Sequence, residues 1–179
     1  MEYSNRKIIE TRKGKVRLRS PETTDGSDVW DLVRACKPLD ENSMYCNLIQ
    51  CDHFAGTSVL AERDGQIIGW ISAHIPPEKS DTLFVWQVAV SEAARGMGLA
   101  VHMLDALVDR QTCADVTRIE TTITRSNDAS WALFRKFARR HKARLSDKPH
   151  FTREDHFDGA HATEHLVSID MAVAMQKAA

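Results

Sequence analysis

The sequence lacks any excess of charge: 24 Lys and Arg stand against 25 Asp and Glu, a formal net charge of −1 over 179 residues. That balance offers no basic face for nucleic acid or an anionic membrane. Cysteine is scarce. Cys36, Cys46, Cys51 and Cys113 show no C-x-x-C spacing or zinc-like pairing, and read as reduced thiols of a cytoplasmic protein. No run approaches the roughly 18–20 apolar residues of a membrane span. The opening MEYSNRKIIETRKGKV has charges but no apolar stretch of a secretory signal. Internal repeats and low-complexity tracts are absent. His150, His156, His161 and His165 crowd one late segment, but the H-E-x-x-H pattern is missing and no metal is expected. The length suits one domain with a proper core, with residues 1–15 a flexible tail and residues 16–174 the domain.

Apolar patterning outlines that domain. Val16–Arg19 reads as a short strand, and a Thr-capped helix then runs to Ala35, ended by Pro38. A second apolar-periodic segment covers 43–54. Thr57–Glu62 and Gln66–His74 flank Asp64-Gly65, a hairpin signal. After Pro76-Pro77 comes a central strand at 82–90, apolar nearly throughout as if covered on both faces. Val116–Ile123 reads as another strand, Asn127 begins a helix with Leu133, Phe134, Phe137 and Ala138 inward, and His165–Ala174 ends the order as a strand.

The most informative stretch is VWQVAVSEAARGMGLA, from Val85 to Ala100. A buried strand leads through a short connection into Arg95-Gly96-Met97-Gly98-Leu99-Ala100, which opens a helix. Small residues there let a ligand approach the backbone, and the first N–H groups of a helix lack carbonyl partners at its positive end. Phosphate or pyrophosphate suits such a place. A dinucleotide fold fits poorly, because the G-x-G-x-x-G spacing is absent and the turn lies in mid-chain.

Taken in order, these elements resemble the GNAT superfamily of N-acetyltransferases. Its acetyl-CoA motif, Arg/Gln-x-x-Gly-x-Gly/Ala, is matched by Arg95, Gly98 and Ala100, and its later Asn-x-x-Ala-x-x-Leu-Tyr segment by Asn127, Ser130, Leu133 and Phe134. A closer resemblance is to the diaminobutyrate acetyltransferases of ectoine biosynthesis, carried by CKPLDENSMYCNLIQCDHF (36–54), GWISAHIPP, DTLFVWQVAV, ETTITRSNDASWALFRKFA and HATEHLV. It spans roughly residues 16 to 172. The resemblance implies an α/β (α+β) GNAT fold, with a central mixed, mostly antiparallel sheet flanked by helices. It implies acetyl-CoA as cosubstrate, a small diamino acid as acceptor, no nucleic-acid or membrane partner, and a homodimer. Two alternatives stay open: acetylation of another small diamine or amino acid, and a catalytically silent acyl-CoA-binding module.

Site residues follow from chemistry and resemblance together. An amine must be neutral to attack a thioester, which for a pKa of about 10.4 costs roughly 4.6 kcal/mol at pH 7. The GNAT pattern supplies oxyanion donors from the backbone of the central strand, here Val88 and Val90, counts Ala89 between them in the cofactor-binding set, and gives the pyrophosphate to Arg95, Gly96, Met97, Gly98, Leu99 and Ala100. Asn127, Ser130 and Phe134 complete the expected cofactor set. Glu120 is the first choice for amine binding or proton removal, though a cross-strand ion pair with Arg118 would also explain it. Trp86 could wall the amine site by cation–π attraction or be a core aromatic, and Tyr45 could join the catalytic set. Asp40, Asn42, Ser43 and Glu164 are expected to hold substrate; Asp40 also suits an Asx turn, and Glu41 a solvated position. Phe134 stands where many GNAT enzymes have a tyrosine, so this chain has no hydroxyl there to protonate the leaving thiolate.

Overall fold

The computed structural model describes residues 6–171, within two compact units. The first unit takes the chain up to His74 together with Val85–Ala114; the second takes Ile75–Phe84 and the chain from Asp115 onward.

In the first unit, β1 (Lys7–Thr11), β2 (Gly14–Arg19), β3 (Val59–Arg63), β4 (Gln66–His74) and the later part of β5 (Thr82–Val90) follow one another in that order. Antiparallel pairing joins β1 to β2, β2 to β3 and β3 to β4. Asp64 and Gly65 turn the β3–β4 hairpin with φ of 54° and 77°, the left-handed pair that matches the twist of two-residue hairpins. Helices α1 (Gly26–Ala35) and α2 (Met44–His53) pack together, and a Cβ at Gly26 would collide with the Leu48 side chain. Val29, Leu32 and Val33 of α1 and Cys36 just after it join Cys51, Leu60, Trp70 and Ala89 in one buried cluster. Arg19 grips Asp25 through two bonds of 2.6 and 2.8 Å, fixing the entry to α1. Burial alone would raise the Asp25 carboxyl, but this guanidinium and the Glu22 N–H hold it below the usual range.

Helix α3 (Leu99–Val108) sets the position of the glycine turn. Gly69 of β4 has no side chain to spare: a Cβ there would lie 2.9 Å from Met103 Sδ and 3.3 Å from Leu99 Cδ2. The helix therefore beds directly on the strand, with Leu99, Met103, Leu104 and Leu107 buried.

In the second unit the order is β5, β6 (Arg118–Thr124), β8 (Glu164–Asp170) and β7 (Arg144–Phe151). Thr82–Phe84 of β5 run parallel to Arg118–Glu120, and β8 is antiparallel to both β6 and β7. Helix α4 (Asp128–Arg140) buries Trp131, Phe134, Phe137 and Ala138 at helical spacing. The sheet is thus mixed and mostly antiparallel, as the resemblance implies.

Three readings need correction. Residues 7–15 of the expected tail form a hairpin, β1, a turn at 12–13 and the start of β2, because Lys7–Thr11 pairs with Gly14–Leu18 through backbone groups that its largely exposed side chains do not announce. The helix opens at Leu99 rather than at Gly96, since Gly96 and Gly98 sit at φ 73° and 72°, outside helical geometry. Strand β7 occupies a stretch that apolar patterning leaves unassigned; its residues are almost all exposed, and polar and charged side chains interrupt its few apolar ones, so no alternation marks it. Residues 1–5 of the expected tail and 172–174 of the expected domain lie outside the described residues.

Candidate active site

The turn between β5 and α3 has the backbone geometry that can take an anion. Glu92–Ala94 form a single 3-10 turn, closed by Ala94 N–H to Ser91 O and Arg95 N–H to Glu92 O. Intrachain backbone bonding resumes at Val101, whose N–H donates to Gly98 O at 3.2 Å. Gly96, Met97, Gly98, Leu99 and Ala100 lie between, and two left-handed glycines turn successive peptides there. Leaving the N–H groups of an irregular turn and a helix start available to one ligand is how such loops cradle phosphates. Arg95 is exposed beside them.

Upstream, β5 exposes Trp86, 48% accessible, and buries Ala89, with Val88 and Val90 between these extremes. Burial pushes the Cys36 thiol up against a smaller pull from Arg95, so it stays protonated and donates to the Val90 carbonyl at 3.4 Å.

The loop before α2 is tied down by a residue that patterning misses. Gln87, buried in β5, accepts from Asn42 Nδ2 at 3.1 Å and donates to the Asp40 carbonyl at 2.9 Å. Trp30 Nε1 adds a bond to the Asn42 carbonyl at 2.9 Å. Two bonds to backbone carbonyls and one to the Asn42 side chain thus hold the loop at 40–42, while Asp40 stays exposed. Ser43 Oγ caps α2 by accepting from Cys46 N–H at 3.1 Å, and Tyr45 in the first turn is 71% accessible. Glu41 is held in its ionised form by Lys37, which bonds it directly, and by Arg34 at 3.7 Å. The signal for Gln87 is the one amide inside the apolar run 83–90.

Glu120 is the buried carboxylate of the second unit, 5% accessible. Lys79 Nζ donates to one oxygen at 2.8 Å and Ser168 Oγ to the other at 3.3 Å. The alternative reading of Glu120 as an ion-pair partner holds in kind but not in partner: the cation is Lys79, from the loop before β5, rather than Arg118. Glu120 is the third of the seven residues of β6. It borders a cavity of about 470 Å³, with Lys79, Arg118, Arg144, Lys148 and Asp170 among the lining residues. Pairing places Glu120 opposite Ser168 and Glu164 opposite Thr124. Four residues of strand, ~13 Å, therefore separate Glu164 from the level of Glu120, on the same face.

Asn127 caps α4 through Oδ1, which accepts from Ser130 N–H at 3.1 Å. Phe134, 1% accessible, is a core side chain of the second unit. Among the described residues no group of three or more His, Cys, Asp or Glu side chains is placed to hold a metal.

The family model for the acetyltransferase (GNAT) family matches residues 27–138. The L-2,4-diaminobutyric acid acetyltransferase of Methylotuvimicrobium alcaliphilum is 45% identical over 161 residues, 90% of this chain and 94% of that protein. The enzyme of the same name from Vibrio cholerae is 45% identical over 154 residues, 86% of this chain and 89% of that one. A solved diaminobutyrate acetyltransferase from Paenibacillus lautus, in complex with its substrate L-2,4-diaminobutyric acid and coenzyme A, aligns with a TM-score of 0.83 at 40% identity, covering 87% of this chain and 94% of that one. The glycine turn, the buried carboxylate and these likenesses lead to one conclusion: the chain belongs to the GNAT acetyltransferases and, among them, to the L-2,4-diaminobutyric acid acetyltransferase family.

Proposed function

We propose that this protein transfers the acetyl group of acetyl-CoA to the 4-amino group of L-2,4-diaminobutyrate, giving N4-acetyl-L-2,4-diaminobutyrate and CoA in ectoine biosynthesis. The observation that carries the reading is 45% identity over 90% of the chain to an enzyme of that name. The left-handed glycine turn at 96–98 supports the cofactor part of it.

The backbone N–H groups of Gly96–Ala100 take the pyrophosphate, with Arg95 adding charge. Asn127 and Ser130, at the start of α4, complete the cofactor set. The neutral amine attacks the thioester carbonyl carbon directly in a ternary complex, and no covalent enzyme intermediate forms. N–H groups of Val88 and Val90 receive the developing oxyanion. The C–S bond then breaks, and the departing thiolate takes its proton from water or from Tyr45, since Phe134 has none to give.

Basicity does not select the 4-amine, because the α-amine is the more acidic and the easier to neutralise. Placement must select it. Asp40, Asn42, Ser43 and Glu164 hold the α-ammonium and carboxylate, Trp86 walls the amine, and Glu120 binds the ammonium or accepts its proton. The fixed backbone at 40–42 suits this positioning role. Ser43 serves mainly through the cap it gives α2.

Incubation with acetyl-CoA and L-2,4-diaminobutyrate is expected to release free thiol and yield the 4-N-acetyl product, identified by NMR. Acetylation solely at the α-nitrogen would refute selection by placement. A higher kcat/KM on ornithine, lysine or a polyamine would assign another acceptor, and tight CoA binding without turnover would mark a silent binding module. We further infer a cytoplasmic homodimer; light scattering is expected to give twice the 20.2 kDa chain mass.

A further inference from the structure

The turn of the β1–β2 hairpin reaches the anion-binding turn. Arg12 Nη2 donates to the Gly96 carbonyl at 2.9 Å, and Lys13 Nζ donates to the Ala93 carbonyl at 2.8 Å. Both bonds are exposed, and each spans 80 residues or more of sequence. The fit at Gly96 is close: a Cβ there would stand 2.9 Å from the same Arg12 nitrogen. The hairpin also lies outside the residues matched by the GNAT family model.

We infer that Arg12 is a positioning residue for the CoA pyrophosphate, acting through the Gly96–Met97 peptide. In a trans peptide the carbonyl and the following N–H point in opposite directions. Holding the Gly96 oxygen against the guanidinium therefore aims the Met97 N–H away from it, outward from the turn. Gly96 needs this hold, because a residue at φ 73° with no side chain has little else to fix its peptide plane. A cation on the carbonyl also polarises the peptide and makes its N–H a stronger donor. Lys13 secures the carbonyl of Ala93, the middle residue of the preceding 3-10 turn, so two cations brace consecutive bends. Their charge also favours a pyrophosphate nearby, although neither is required to touch it.

The inference rests on the cofactor reading of this turn but not on the identity of the amine. Its test is direct binding of CoA and dephospho-CoA by calorimetry, beside the KM for acetyl-CoA and for S-acetylpantetheine, which carries no phosphate. Arg12→Met is expected to weaken CoA and dephospho-CoA equally, by about tenfold, as loss of one charge-assisted bond would. KM for S-acetylpantetheine is expected to stay within twofold of the wild type. Arg12→Lys should restore most of the affinity, since it keeps a cation within reach of the carbonyl. Unchanged CoA binding in Arg12→Met would overturn the role, as would an equal loss with S-acetylpantetheine, which would mark a general disturbance of the fold. Absence of CoA binding by the wild-type protein would instead sink the cofactor reading itself.

Discussion

The two units present different kinds of group. The first unit offers main chain: left-handed glycines, a helix start whose N–H groups lack intrahelical carbonyls, and a loop backbone pinned by Gln87. The second offers a side chain, the buried Glu120, held by Lys79 and Ser168 on the border of a charged cavity. Main-chain donors need no particular residue identity beyond the glycines that permit their geometry, so they suit a cofactor shared by many enzymes. Under the proposed function, discrimination among amines falls to side chains of both units, Glu120 and Glu164 of the second and Asp40, Asn42 and Trp86 of the first. The contrast predicts that cofactor affinity and acceptor turnover can be damaged separately.

The sharpest break is Glu120→Gln. It keeps the shape and removes the charge, leaving Lys79 without its anion. Turnover on diaminobutyrate is expected to fall about 100-fold, at the lower end of what a positioned acid or base supplies. CoA affinity measured by calorimetry should not move. A matching loss of CoA affinity would show that Glu120 holds the fold rather than the amine.

Gly98→Ala is the reciprocal change. A residue other than glycine at φ 72° costs roughly 1–2 kcal/mol, and this should weaken CoA binding by about tenfold. KM for the amine is expected to stay constant at saturating acetyl-CoA. If it rises as much as the CoA dissociation constant, the two functions are not separable.

A smaller effect is expected at Gln87 of the first unit, which ties down the 40–42 loop proposed to position the acceptor. Gln87→Leu removes both bonds to the 40–42 loop and leaves the Asn42 amide without this partner. Loosening of that backbone should raise KM for diaminobutyrate about fivefold, as loss of a neutral hydrogen bond would, with CoA affinity preserved. A change in kcat alone would place the loop's role elsewhere.

Legibility in the sequence follows the same division. Glycines that must adopt positive φ stand out in any sequence, so the turn at 96–98 and the hairpin at Asp64-Gly65 are readable from local composition alone. Apolar periodicity marks α1, α3, α4 and β5 because each buries a face. The strands that escape, β1 and β7, begin the first unit's strand order and end the second's; each is held by backbone pairing on one side and exposes nearly every side chain. Nothing in their composition reports that pairing. The partner of Glu120 escapes for another reason. Lys79 lies 41 residues away in a loop, and separations of that kind follow from the parallel pairing of β5 with β6, not from local spacing. Gln87 is easily passed over because a single amide in an apolar strand looks like an interruption; its two bonds show it to be a clamp.

Phe134 gives the mildest prediction and tests whether the second unit lacks an acid it needs. The ring is 1% accessible, so Phe134→Tyr would add a hydroxyl to a packed position, where an unsatisfied polar group costs about 1–3 kcal/mol. A lower Tm is therefore expected. Turnover should not gain, because a thiolate whose conjugate acid has a pKa near 8.5 departs readily without a donor. Water can protonate it after the C–S bond has broken, outside the step that limits the rate. The expected kcat on diaminobutyrate lies within twofold of the wild type at neutral pH, measured by thiol release. A rise of fivefold or more would mean that protonation of the leaving group does limit the reaction, and that the phenylalanine is a real deficit rather than a packing choice.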